Sequence, residues 1–350
     1  MAGFIDYILI LGITSICIYI IYRMIQKRVS NNITTVPYSD TPTNAQTAQL
    51  NKVVNTSTGS GLMTSTFDPS QDNSLRNFCI KSSFNSAFTG SYVNRNMVKY
   101  VLTRGCRFLD FEVFVKDGTP IVAYSGSIAD PSFTHFTSLD PALSLDGVFS
   151  TIMSNAFTGS SPNPGDPLFI QLHIKSYLQS AYTNIAQTIA SALSAKLYKG
   201  EVTLDTQIQD LMGKIVIIVD QTTSPGYNNY SKCTPGDTMC QYSLSDVVNM
   251  KSGSDKLRIY KENELMNQST NPPDPDVYLM RIVTPNYGFF YGVNNCNSLY
   301  LIQNYGAQVV AQAFYANDGN LAVYEDLFKS FKSAFVPITS ALTYIQGQNI

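Results

Sequence analysis

The sequence predicts an α/β domain, a parallel sheet wrapped by helices, carried behind one membrane-spanning helix and a disordered linker. Three observations lead there. Strand-like and helix-like segments alternate over residues 75–340, the first residues form one long apolar run, and a polar stretch poor in large apolar residues separates the two. The chain has 350 residues, 44% of them hydrophobic, enough for one sizeable core. Only 14% are charged, against about 25% in ordinary soluble domains. Ser, Thr, Asn, Gln and 22 Tyr supply the polarity instead. A net charge of −2, with no Lys/Arg block beyond the N-terminal flank, excludes nucleic acid as an expected partner.

Residues 4–22 contain one charged residue, Asp6, and are long enough to cross a bilayer as a helix. Arg23, Lys27 and Arg28 follow at once. A cleaved signal would carry its charges before the apolar run and small residues after it, so residues 1–29 read as an uncleaved anchor with a basic flank. That flank favours the cytoplasmic side for everything after it. Residues 30–74 cannot bury enough surface to fold alone and read as a flexible polar linker, with a reach of about 35–40 Å.

From residue 75 onward the elements follow in turn. "RNFCIKSS" is a first strand. "VNRNMVKYVLTRG" is a helix with Met97, Tyr100 and Val101 on one face. "CRFLDFEVFV" is a strand by alternation, "LSLDGVFSTIMSNAF" a helix and "PLFIQLHI" a strand. "LQSAYTNIAQTIASALSAKL" is a long amphipathic helix whose apolar face packs on the core, and "KIVIIVD" is a buried strand. "DVYLMRIVTP", "QVVAQAFY" and a helix near 325–334 complete the series. A closed eight-fold barrel fits this length. An open doubly wound sheet is the competitor, but no Gly-rich phosphate loop follows a first strand. Residues 221–275, rich in Asn, Ser and Pro, read as an irregular insertion over one face. Cys79 and Cys106 read as buried thiols, while Cys233 and Cys240 flank a loop and could pair in an extracytoplasmic domain.

Taken in order, "IKSSFNSAFTG", "YVLTRGCRFLDFEVF", "DGTPIVAYSGS", "AFTGSSPNPGDPLFIQLHI" and "LMGKIVIIVD" resemble the catalytic X region of phosphatidylinositol-specific phospholipases C. "LSDVVNM", "MRIVTP" and "GAQVVAQAFYANDGN" extend a weaker likeness to residue 337. The resemblance implies a distorted TIM-type barrel that cleaves the phosphodiester of inositol phospholipids, using two histidines. Eukaryotic members add a calcium ion held by an Asn and several carboxylates.

Against that pattern, Phe84 stands in the first histidine's place, in Ser83-Phe84-Asn85, and Ser127 in the second's, in Ser125-Gly126-Ser127. Neither group titrates near pH 7, and each lost general acid or base costs about 10²–10⁴ in rate. No catalytic residue is expected; His173 is the alternative, and the one other histidine, His135, falls in a loop. Asp110 and Glu112 match the family's acidic pair with the side-chain lengths exchanged. Strand geometry sends both to one face together with Phe108. Asn85 is retained, but His173 replaces a further carboxylate of the family. Asn85, Asp110 and Glu112 therefore make a weak calcium site or none, and no other cofactor is expected. Two plainer readings stand beside this one: the acids as lumen polarity satisfied by neighbours, and His173 as a hydrogen-bonded interior histidine. Arg281 matches a phosphate-contacting arginine and, with Ser127, is the ligand-binding candidate; it could equally pair with Asp110, Glu112 or Asp220. Where the family presents lysines to inositol phosphates, this chain has Ile218 and Asp220.

These expectations define a membrane-anchored phospholipase-C-like barrel that is catalytically inactive and binds, or serves as structure, at a membrane or in a particle. A phospholipid headgroup and protein partners in an assembly are its expected contacts. The alternative is an active phosphoric diester hydrolase using His173, Asp110 and Glu112 around a metal.

Overall fold

The alternating "CRFLDFEVFV" segment becomes the nine-residue strand on which the rest of the fold is assembled. The computed structural model describes residues 12, 14–20, 44–54, 60–90, 93–124, 142–234, 236, 240–268, 279–286 and 293–348. The strands are β1 (Phe78–Ile80), β2 (Ser82–Ser83), β3 (Phe108–Lys116), β4 (Thr119–Ala123), β5 (Leu143–Ser144), β6 (Leu168–Ile174), β7 (Ile215–Asp220), β8 (Met250–Ser252), β9 (Leu257–Lys261), β10 (Met280–Thr284), β11 (Val309–Val310) and β12 (Phe335–Pro337). The helices are α1 (Asn44–Val54), α2 (Arg95–Thr103), α3 (Leu145–Asn155), α4 (Gln179–Leu193), α5 (Tyr227–Tyr230), α6 (Glu262–Met266), α7 (Ser298–Tyr305), α8 (Gly319–Phe331) and α9 (Ile338–Gly347). Asn94, Ser144, Asn297 and Asp318 cap α2, α3, α7 and α8, each accepting a backbone N–H that the first turn leaves without a partner.

Parallel ladders join β2, β3, β6, β7 and β8, and separately β9, β10 and β11. A parallel bridge between Ser83 and Gln312 links the end of the second arc to β2, with Phe84 N donating to Gln312 O at 2.8 Å. Among the described residues no ladder joins β8 to β9. Eight parallel strands thus form a ring with one unlaced seam, rather than the closed barrel expected from length. Only residues 253–256 connect β8 to β9, and the chain turns there, Ser254 N donating to Leu257 O and Leu257 N to Ser254 Oγ. Adjacent parallel strands need a crossover of about a dozen residues, which this connection lacks. β4 and β5 extend the sheet beyond β3 in antiparallel fashion, and β1 pairs antiparallel with β12.

Strand parity separates two apolar layers. Phe108, Phe169, Val216, Ile218, Met250, Leu257, Met280, Ile282 and Val309 meet in the interior. Leu109, Phe111, Ile170, Leu172, Ile217, Val219 and Val283 belong to the larger cluster that includes the helices. On β3 and β6 the inward series is apolar at Phe108 and Phe169 and turns polar toward the C-terminal end, at Asp110 and Glu112 and at Gln171 and His173. The sequence therefore builds a greasy plug at one end of the lumen and a polar cluster at the other. Lys81, 1% exposed, and Arg104 both bond Glu325 of α8, tying that helix to the base of β2.

Several expectations need correction. Where an insertion was expected over residues 221–275, residues 250–252 and 257–261 contribute β8 and β9 to the wall. These strands are short and carry Lys251, Arg258 and Lys261, so the alternation is blurred. Part of the presumed linker folds. α1 buries Leu50 and Val53 against the core, Leu62 is buried, and Ser65 donates to Asp166 from N (2.7 Å) and Oγ (3.0 Å). Residues 30–43 and 55–59 lie outside the described residues. The single final helix is two, α8 and α9. Of the expected anchor, residues 14–20 are helical and exposed, and most of the rest lies outside the described residues, as does the basic flank. Among the described residues no helix is long and apolar enough to cross a membrane.

Because α1 docks rather than floats, Leu50→Ala should lower unfolding free energy by about 2 kcal/mol. Urea denaturation checks this, and an unchanged midpoint would mean that α1 does not pack on the barrel.

Candidate functional site

Three inward carboxylates crowd the polar end of the lumen. Asp110, Glu112 and Asp220 are each 1% exposed, and His173 is 5% exposed. β3 and β6 pair so that Glu112 lies opposite His173 and Asp110 opposite Gln171. His173 bridges two of the acids. Its Nε2 lies 2.5 Å from Asp110 Oδ1, and its Nδ1 lies 2.9 Å from Asp220 Oδ2 and 2.8 Å from Thr223 Oγ1. Burial alone would depress the imidazole, but the charge of Asp110 and the bonds to both carboxylates outweigh it and push the pKa up to about 10. The group is therefore an imidazolium at neutral pH, with both N–H groups committed.

Each carboxylate is also held by the backbone or by hydroxyls. Asp110 Oδ2 accepts from Asn85 N at 3.2 Å, Oδ1 from Gln171 Nε2 at 3.2 Å, and Asp110 N donates to Ser86 Oγ. Asn85 adopts φ 43°, a left-handed conformation that Asn tolerates better than most residues and that turns its N–H toward Asp110. Asp220 Oδ1 accepts from Thr222 N and Oγ1, and Oδ2 from Thr223 Oγ1 at 2.6 Å. Burial raises the Asp220 pKa, but His173 and these threonines prevail and hold it down at about 2. At Gly253 an added Cβ would come 2.5 Å from Thr222 Cγ2, so the turn out of β8 fits only because that residue has no side chain. Glu112 faces two phenols: burial first, and then its charge, push Tyr124 upward, and Tyr315 is raised by burial and by the neighbouring Tyr124, Glu112 and Asp110.

Phe84 occupies an apolar nest with Val293, Ala311 and Ala313. Ser125, Gly126, Ser127 and His135 lie outside the described residues. Arg281 does not join the cluster. It alternates with the interior residues Met280 and Ile282, which puts it on the outer face of β10, and its Nη1 lies close to Gly306 at the end of α7. Asp220, weighed as a partner for Arg281, pairs with His173 instead. Sequence reasoning missed Thr222 and Thr223. The signal was "DQTT", an Asp followed at two and three places by hydroxyls able to bond its carboxylate.

The comparisons bear on this geometry. Residues 71–221 match the family described as phosphatidylinositol-specific phospholipase C, X domain. Residues 71–221 thus carry the X-domain pattern of these phospholipases. The segment contains β1 through β7, with His173, its three acids, Asn85, Ser86, Gln171 and Tyr124, but not Thr222, Thr223 or Tyr315. Among solved structures, a PLC21 from L. pealei is 18% identical with a TM-score of 0.54, and one from S. officinalis is 19% identical with the same score. Both matches cover 75% of this chain and 37% of theirs, so this chain spans just over a third of those relatives. At that identity they show the fold: a phospholipase-C-like α/β architecture. No curated protein matches the sequence.

Within this X-domain frame, Asp110, one of the residues expected to hold calcium, is engaged with protein donors. Both oxygens of Asp110 already accept hydrogen bonds, and His173 stands between Asp110 and Asp220 as a cation. Among the described residues no group of three His, Cys, Asp or Glu side chains is placed to share an ion.

Removing the imidazolium strands two buried carboxylates, so His173→Ala should cost about 3–5 kcal/mol in urea unfolding. The stabilisation from His173 is complete below its ordinary value of 6.5 and fades as pH climbs toward about 10. That from Asp220 is complete above its ordinary 3.8 and fades as pH falls toward about 2. Denaturation midpoints across pH should therefore plateau between these limits, and the alkaline decline should be missing in His173→Gln. Above 9.0 the buried thiols of Cys79 and Cys106, both pushed up by burial, add a decline of their own, so the comparison is read between 6.5 and 9.0, where a decline retained in that variant would show that His173 is not its source.

Proposed function

We propose that this chain is a membrane-tethered phospholipase-C-like barrel that has lost hydrolytic power and acts by binding or as structure. One observation carries the reading: the only histidine described in the lumen is locked as an imidazolium between Asp110 and Asp220. Cleavage by the family's route needs a base with a free lone pair and an acid that can release its proton. His173 has no lone pair to offer, and deprotonating it would leave two buried carboxylates without their counter-charge. Phe84, where the resemblance expects the first histidine, sits in an apolar nest and moves no proton.

Residues 4–22 supply the proposed anchor. Cys233 and Cys240 form a disulfide, with Cα atoms 5.3 Å apart, while Cys79, Cys106 and Cys296 are buried thiols. The disulfide supports an oxidising compartment for the barrel, the side opposite to the one favoured by Arg23, Lys27 and Arg28. The partner in this reading is a phospholipid surface or a protein of a membrane-bound assembly.

Full-length protein mixed with phosphatidylinositol vesicles should release no water-soluble headgroup above the uncatalysed background, with calcium or with chelator. Release that depends on calcium and disappears in Glu112→Gln would overturn the reading in favour of a working hydrolase. In protein isolated from its natural membrane, peptide mapping without reductant should recover Cys233 and Cys240 joined; free thiols at both would return the barrel to a reducing compartment.

A further inference from the structure

The unlaced seam between β8 and β9 opens onto a cavity of about 840 Å³, within the range that holds small ligands. It shares no residue with the His173 cluster, so it stands apart from the function proposed above. Its floor is apolar: Val202 and Leu204, from the segment before β7, with Met250 and Leu257 from the two strands at the seam. Its rim is basic: Lys232, Lys251 and Lys256 line it, all three are exposed, and none joins an ion pair among the described residues. Of the remaining charges in the lining, Arg76 and Asp205 pair with each other, leaving Glu201 and Asp246 against three lysines.

A second observation points to an occupant. Tyr227 also lines the cavity, is 2% exposed, and its hydroxyl has no hydrogen-bond partner. A buried hydroxyl without a partner costs about 1–3 kcal/mol, so a group that accepts from it is expected. Burial keeps that phenol protonated, pushing it up to about 12, so it can only donate at neutral pH. Lys251 Nζ lies 5.7 Å from the centre of the same ring, which sets a cation over its face. Several mobile ammonium groups plus one fixed O–H over an apolar floor match an acceptor-rich anion attached to a hydrocarbon body.

We propose that the β8–β9 seam is a binding site for a small organic phosphate with an apolar part, its phosphate on Tyr227, Lys251 and Lys256 and its body on Met250, Leu257 and the 202–204 segment. The ligand enters where the wall lacks backbone hydrogen bonds, so its apolar part needs to displace no strand.

Isothermal titration of the full-length protein with hexyl phosphate tests this, alongside inorganic phosphate and hexylammonium. Hexyl phosphate should bind saturably and more tightly than inorganic phosphate, and hexylammonium should not bind. Lys251→Glu combined with Lys256→Glu should weaken hexyl phosphate roughly tenfold or more, equivalent to about 1.4 kcal/mol. Tyr227→Phe should weaken it several-fold without lowering thermal stability, because an unpaired buried hydroxyl contributes none. Displacement of hexyl phosphate by phosphatidic acid vesicles would name a membrane lipid as the natural source; no displacement would name a soluble one. The proposal is overturned by absence of saturable heat, by equal binding to the charge-reversed variant, or by hexylammonium binding as well as the phosphate.

Discussion

One imidazolium among three carboxylates is the constraint on which the lumen depends. Asp110, Glu112 and Asp220 face inward because the strand period leaves them no alternative, and each sits in a site almost closed to water. A buried carboxylate without a counter-charge is costly enough to displace a strand or force protonation. His173 shares its one positive charge between two of the three from a single ring, and does so with directed hydrogen bonds. The cation here is covalently attached, and a fixed cation can be neither exchanged nor withdrawn.

The legible part of the fold was the part with strong periodicity. β3, β6, β7, α2, α3 and α4 fall where "CRFLDFEVFV", "PLFIQLHI", "KIVIIVD" and the amphipathic segments indicate, because each is long enough for burial to override local preference. The seam was illegible for the opposite reason. β8 has three residues and β9 five, both interrupted by lysine or arginine, and their place in the ring is set by neighbouring strands rather than by their own pattern. α1 was hidden as well: within a polar stretch, two apolar residues three apart are a faint stripe, and only the surface they meet makes them a core contact.

At the site, residue type carried more than composition did. The pairing of Asp110 with Glu112 on one face, the retained Asn85 and the phenyl at position 84 were all readable, and so was the preference for His173 as an interior, hydrogen-bonded group. What the chain alone could not convey is which acid meets which cation. Asp110 and Asp220 lie 110 positions apart and become neighbours of His173 only through β3–β6–β7 pairing, whereas the matched Arg281 is turned outward by a single step of strand parity.

Among the described residues the smaller arc, β9–β10–β11, has no ladder at its β9 edge and meets the larger one at its other edge through the Ser83–Gln312 bridge and a few backbone bonds, Ile80 N to Gln308 O among them. A segment joined by so few backbone bonds can open without unzipping its neighbours. Amide hydrogens of β9 and β10 should then exchange with solvent through a local excursion, while those of β3, β6 and β7 should wait for global unfolding. The ladder pattern divides the wall into two parts of unequal lacing, with the boundary at the 253–256 turn, beyond the end of the stretch that carries the family pattern.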